Sequence, residues 1–193
     1  TVTDLFENTG PSNLVANVLT VAENEAIGAV VGEVNATDPD AGATLTYSLV
    51  SGVGDGNNSL FTLETNGTLK TAVTFDYESN ASTYAIRVEA RDEYNATVEG
   101  NFTIVLTNVN DSPTGITPSG ALSVVENQPV GSFVSEFNAT DQDAGASFTF
   151  SLVSGSGDSG NAYFTMEANG TLKTAVSFDY ETNATTQPIR VRV

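Results

Sequence analysis

Apolar residues recur along this chain with a period of two. In Tyr84-Ala85-Ile86-Arg87-Val88-Glu89-Ala90-Arg91 they alternate with mostly polar ones, the mark of a strand with one face buried. Phe102, Ile104 and Leu106 alternate with Thr103 and Thr107, with Val105 the apolar exception, and Leu45, Tyr47 and Leu49 alternate with Thr44, Thr46 and Ser48. Further β-type segments fall near 17–23, 28–36, 59–63 and 67–73, and no stretch carries a helical period. Turn signals separate the segments: Asp40-Ala41-Gly42, Gly54 to Asn58, Asn66-Gly67 and Asp92 to Asn95. Seven short strands in about 100 residues predict an all-β, immunoglobulin-like Greek-key sandwich.

The pattern then repeats. Val21-Ala22-Glu23-Asn24 returns as Val124-Val125-Glu126-Asn127, and Phe75-Asp76-Tyr77-Glu78 returns as Phe178-Asp179-Tyr180-Glu181, each 103 residues on. The stretch Asn35 to Gly42 returns as Asn138 to Gly145 at the same offset. A constant offset of domain length predicts tandem domains rather than a solenoid of short units. The expected division is a preceding tail and linker over 1–13, repeat 1 over 14–107, a linker over 108–113 and repeat 2 over 114–193. Thr1-Val2-Thr3-Asp4 is similar to the end of repeat 1, and Val193 corresponds to Ala90. The chain is therefore expected to be a slice of a longer array, with the last strand of repeat 2 absent. Neighbouring copies meeting head to tail are one way to supply that strand.

Charge narrows the partners. The 193 residues hold 6 Lys and Arg against 24 Asp and Glu, for a net charge of −18. Such a surface repels phosphate backbones and anionic lipid, so nucleic-acid partners are excluded. No apolar run approaches the roughly 20 residues that a membrane span needs, so no membrane insertion is expected. With no Cys and no His, disulfides, the usual zinc sites and His-dependent catalytic triads cannot be built. Paired carboxylates could still serve a glycosidase, but these acids cluster in loops, and no enzyme is expected.

Those acids fall in three groups per repeat: Glu23, the Asp38-x-Asp40 loop and the Asp76-Tyr77-Glu78 turn, with Asp92 a further point. Two carboxylates about 4 Å apart repel by roughly 1 kcal/mol in water and more when shielded from it. Calcium relieves this, because it accepts 6–8 oxygen ligands from carboxylates, carbonyls and amides. A single such loop, taken alone, reads rather as a polar turn. The whole set, repeated at one offset, predicts Ca2+.

As an ordered series, V-A-E-N, A-T-D-P-D-A-G, F-D-Y-E, V-E-A-R-D and N-V-N-D-S-P resembles the motifs of cadherin repeats, and the bacterial cadherin-like kind most. The resemblance implies calcium between successive repeats, and with it a set of roles. Glu23, Asp76, Glu78, Val109, Asn110, Asp111, Ser112, Asp141 and Asp143 would serve a central junction, Val109 and Ser112 through main-chain oxygens. Asp4, Glu7, Asn8, Asp38, Asp40 and Asp92 would serve a first junction, and Glu126, Asp179 and Glu181 would begin a third. The linker departs from the family's D-x-N-D-N, with Asn108 first, Ser112 last and one residue fewer before Pro113. That departure implies a weakened third ion at the central junction. Tryptophan-anchored strand exchange is unavailable, since the chain has no Trp.

Asn-x-Ser/Thr sequons begin at Asn35, Asn57, Asn66, Asn80, Asn95, Asn101, Asn138, Asn169 and Asn183, and at Asn110, which is expected to stay bare beside the metal. They read either as turn chemistry or as glycan acceptors. The expectation is a calcium-rigidified structural or adhesion module of a cell-surface or extracellular protein, projecting or linking there or in a filament, with adjacent repeats of its own chain as its nearest partners. The alternative is a carbohydrate-binding module, which would need an exposed aromatic platform from Tyr47, Tyr77, Tyr84, Tyr94, Tyr163 or Tyr180.

Overall fold

The computed structural model describes residues 7–193. The chain divides into two compact units, the first ending at Val109 and the second running Asn110–Val193.

Eight strands build the first unit: β1 (Ser12–Ala16), β2 (Thr20–Ala22), β3 (Val30–Thr37), β4 (Thr46–Leu49), β5 (Phe61–Leu63), β6 (Thr68–Thr71), β7 (Thr83–Arg91) and β8 (Thr97–Thr107). One sheet has the order β1-β3-β6-β5 and the other β2-β8-β7-β4. The run read as one segment at 17–23 is where the first strand changes sheets. Asn13 adopts a positive φ of 52°, and the β1–β3 register shifts between Ser12 and Val15. Asn17 then exchanges hydrogen bonds with Glu33 through its amide and its Oδ1. After this crossing β2 runs parallel to β8, pairing Thr20 with Val105 and Ala22 with Thr107.

Alternation along the strands fills the space between the sheets. Val34, Leu69, Ile86, Val88 and Ile104 are fully enclosed, and Phe61, Phe75 and Tyr84 pack ring against ring with centroids 4.8 to 5.9 Å apart. The Asn66-Gly67 turn is tied to this core. Gly67 has φ +94°, and a Cβ there would lie 2.3 Å from the Val34 carbonyl oxygen, so only glycine fits.

The second unit repeats the plan in part. Strands β9 (Gly115–Pro118), β10 (Phe133–Thr140), β12 (Phe164–Met166) and β13 (Thr171–Thr174) form a sheet of order β12-β13-β10-β9. β11 (Ser151–Leu152) and β14 (Val191–Arg192) form a two-stranded sheet. Val134, Phe137, Phe150 and Leu172 make its core. Residues 123–125, the counterparts of β2, form no strand.

Candidate metal centres

Two local devices recur in both units, and each uses carboxylate oxygens to hold backbone N–H groups. The first is the D-x-D loop after the third strand. Asp38 Oδ1 accepts the Asp40 N–H at 2.9 Å, and Asp40 Oδ2 accepts the Thr9 N–H at 2.7 Å. In the second unit Asp141 Oδ1 accepts the Asp143 N–H at 3.0 Å, and Asp143 Oδ2 accepts the Asp111 N–H at 2.6 Å. Gln142 Nε2 donates to Asp111 Oδ2 at 3.3 Å, and Asn110 Nδ2 donates to the Asp111 carbonyl.

One atom of this device has no hydrogen-bond partner among the described residues. Asp38 Oδ2 is buried and accepts no hydrogen bond. A shielded carboxylate oxygen without a donor is costly, and a bound cation is one way to satisfy it.

Asp92 lies at the same end of the first unit and is almost fully buried. Its Oδ1 accepts the N–H groups of Tyr94 and Ala96 at 2.9 and 2.8 Å, and its Oδ2 accepts Asn8 Nδ2 at 2.9 Å. Burial pushes its pKa up, but the hydrogen bonds from Asn8, Ala96, Tyr94 and Asn95 outweigh that and hold it below the ordinary aspartate value. The aspartate is therefore kept as an anion. Glu7 is exposed, and Asp4 lies outside the described residues.

The second device joins a buried glutamate to the D-Y-E turn. Glu23 is 2% exposed. Its Oε2 accepts the Tyr77 N–H at 2.7 Å and its Oε1 the Val109 N–H at 2.9 Å. Asp76 Oδ1 accepts from Glu78 and Ser79, and Glu78 Oε1 accepts Asn108 Nδ2 at 3.0 Å. One carboxylate oxygen of Glu23 and one of Glu78 lie within 4.8 Å of each other.

In the second unit Glu126 Oε2 accepts the Tyr180 N–H at 2.9 Å, and Asp179 Oδ1 accepts the Glu181 N–H at 3.0 Å. One oxygen each from Glu126, Asp179 and Glu181 lies within 4.8 Å of the others. The Glu181 amide is the first of the hydrogen bonds that hold Asp179 below its ordinary pKa, followed by the Thr182 side chain, with burial opposing.

Two participants were not visible in the residue pattern. Thr9 supplies the N–H that Asp40 accepts, which places Thr9 where the second linker has Asp111. Aligning Pro11 with Pro113 would have shown this, because both residues stand two before a proline. Asn24 and Asn127 adopt φ of 61° and 59°, and their N–H groups donate to Phe75 and Phe178 carbonyls. The Glu-Asn dipeptide was the available cue, since asparagine tolerates that conformation better than most residues.

Residues 17–107 match the family model described as the cadherin domain. The chain is 30% identical to human Cadherin-12 over 95% of its length, and 35% identical to human Protocadherin-16 over 94%. It spans 25% of the first relative and 6% of the second. Among solved structures, the EC1-2 fragment of human Protocadherin-24 superposes with a TM-score of 0.67 at 26% identity, covering 92% of this chain and 82% of that one. These relatives are animal proteins, so the expected affinity to bacterial members gains no support. Residues 17–107 are a cadherin domain, and the chain that carries them is a homologue of the cadherins and protocadherins.

Proposed function

We propose that this chain is an extracellular adhesion or spacer module whose successive sandwiches are joined stiffly by calcium. The convergence of Glu126, Asp179 and Glu181 carries the reading: three carboxylate oxygens within 4.8 Å repel one another unless a cation lies among them. The unpartnered Asp38 Oδ2 supports it from the other device.

The ligands proposed for the central junction are Glu23, Asp76, Glu78, Asn110, Asp111, Asp141 and Asp143, with main-chain oxygens of Val109 and Ser112. For the first junction they are Asp4, Asn8, Asp38, Asp40 and Asp92, with Glu7 in the linker. There Thr9 replaces an aspartate, which lowers the negative charge and the expected affinity. Glu126, Asp179 and Glu181 belong to the third. Calcium supplies charge neutralisation, and the protein's part is to hold these oxygens in place through the backbone hydrogen bonds described above.

The carbohydrate-binding alternative draws little support from the aromatics. Tyr47 and Tyr84 are buried; of the exposed four, Tyr77 and Tyr180 sit within the D-Y-E turns, Tyr163 packs against Phe178 and Tyr94 lies in the loop after β7. Asn35, Asn66, Asn80, Asn95, Asn101, Asn138 and Asn169 are exposed and remain proposed glycan acceptors. Asn57 and Asn183 are half-buried, with their Oδ1 atoms committed to the Ala85 and Asp179 amides.

Small-angle scattering in calcium and in chelator tests the reading. An extended particle with calcium and a broader ensemble without it is the expected result, and superimposable profiles would overturn it.

A further inference from the structure

Asn-Gly occurs at two places in the chain, Asn66-Gly67 and Asn169-Gly170. The first joins β5 to β6 and the second joins β12 to β13. This dipeptide can modify itself. Glycine has no Cβ to shield its amide nitrogen, and that nitrogen can attack Cγ of the asparagine before it.

The folded turns withhold the nitrogen in the same way twice. Gly67 and Gly170 are buried, and their N–H groups donate to the Glu64 and Glu167 carbonyls, each at 2.9 Å. The two asparagines are exposed, but Asn66 Oδ1 accepts the Thr68 N–H at 3.0 Å and Asn169 Oδ1 the Thr171 N–H at 3.1 Å. The glycine carbonyls are tied to the third-strand position of each unit. Gly67 O accepts the Val34 N–H and Gly170 O the Phe137 N–H, both at 2.9 Å. A Cβ on Gly67 would lie 2.3 Å from the Val34 carbonyl oxygen, and one on Gly170 would lie 2.4 Å from that of Phe137. Packed so closely, the glycine backbone has no room to swing its nitrogen toward Cγ.

We propose that Asn66 and Asn169 are latent succinimide sites, closed in the folded units and reactive once a unit opens. On opening, the Gly67 nitrogen bonds to Asn66 Cγ, and Nδ2 leaves as ammonia with the proton that the glycine gives up. Water then opens the imide ring to aspartate or isoaspartate. Isoaspartate routes the main chain through Cγ and lengthens it by one methylene. That insertion moves Gly67 away from both Glu64 and Val34, so the modified unit does not close again. Each opening thus carries a chance of becoming permanent, and the two sites record it separately for the two units. A glycan at either asparagine would occupy the same Nδ2 and block the reaction, so the test uses unglycosylated chain.

The whole chain is held at mildly alkaline pH in buffer and in guanidinium chloride, and isoaspartate at 66 and 169 is read by peptide mapping. Formation should be at least about a hundredfold slower in buffer, equivalent to about 2.7 kcal/mol, because the turn must open first. After dilution from denaturant, chains carrying isoaspartate should be depleted from the refolded fraction. Asn66→Asp should fold with a melting temperature near the parent's, since a carboxylate oxygen can accept the Thr68 N–H as Oδ1 does. Similar rates in both solutions would overturn the proposal, as would equal refolding of isoaspartyl chains. Failure of Asn66→Asp to fold would overturn it too, because loss of the amide, and not a longer backbone, would then explain the depletion.

Discussion

Val109 donates its amide hydrogen to Oε1 of Glu23, 86 residues earlier, at 2.9 Å. The other oxygen of that carboxylate holds Tyr77, so one buried side chain fixes both the D-Y-E turn and the start of the linker. Glu23→Ala leaves two amides without their acceptor. Each net loss costs about 1–3 kcal/mol where the group stays shielded. Urea denaturation in chelator should show the first unit weakened by about 2–6 kcal/mol. An unchanged midpoint would mean that water replaces the carboxylate at no cost.

Asp38→Asn should act with opposite signs in two buffers. In chelator it removes a charge from a buried oxygen that nothing satisfies, so the melting temperature should rise. In calcium it removes a ligand, so the temperature should fall relative to the parent. Calorimetry with and without the ion reads both signs. A fall in chelator would show that Asp38 is held for its turn hydrogen bond with Asp40.

Calcium should stabilise the parent by mass action, by about 2.7 kcal/mol at a hundredfold excess over the dissociation constant. Asp111→Ala should lose much of that increment while changing little in chelator. Equal destabilisation in both buffers would make Asp111 a turn residue, kept for its hydrogen bonds with Asp143 and Gln142.

Two glycines with similar torsions should differ. Gly42 has φ +84° with open space around it, and Gly67 has φ +94° with Val34 O at 2.3 Å from an added Cβ. Gly42→Ala should cost about 1–2 kcal/mol, the left-handed penalty alone. Gly67→Ala should cost clearly more, because the turn must also move off β3. Paired thermal melts compare them, and equal losses would show that the turn relaxes freely.

Much of the fold was legible because the sandwich has one buried face per strand. Tyr84, Ile86, Val88 and Ala90 read as inward and are buried. Glu89 breaks that rule: it reads as solvent-facing yet is 8% exposed, because Arg91 folds back and donates to Oε1 at 2.8 and 3.0 Å. A side chain covering its neighbour leaves no periodic trace. The sheet change at Asn13 and Asn17 was hidden for a related reason: it depends on the positive φ of Asn13 and on the close approach of Asn17 and Leu19 to Gly32, where a Cβ would lie 2.6 Å from Asn17 Oδ1. At the candidate sites, carboxylate spacing pointed to the D-x-D and D-Y-E loops, whose acids hold backbone amides in the structure. Which oxygen is left without a donor depends on three-dimensional closure, and Asp38 Oδ2 could be found only there.

The parallel pairing of β2 with β8 also decides how the first unit bears load. Tension applied to the flanking chain pulls on Thr20 at one end of the pair and on Thr107 at the other, in opposite directions. Their ladder partners, Val105 and Ala22, lie at the same two ends, so the strands are loaded in shear. All the rungs must then yield together, whereas a hairpin pulled from its open end unzips one rung at a time. Forced unfolding is governed by the rate of that step. The short parallel ladder is therefore a mechanical clamp for the first unit.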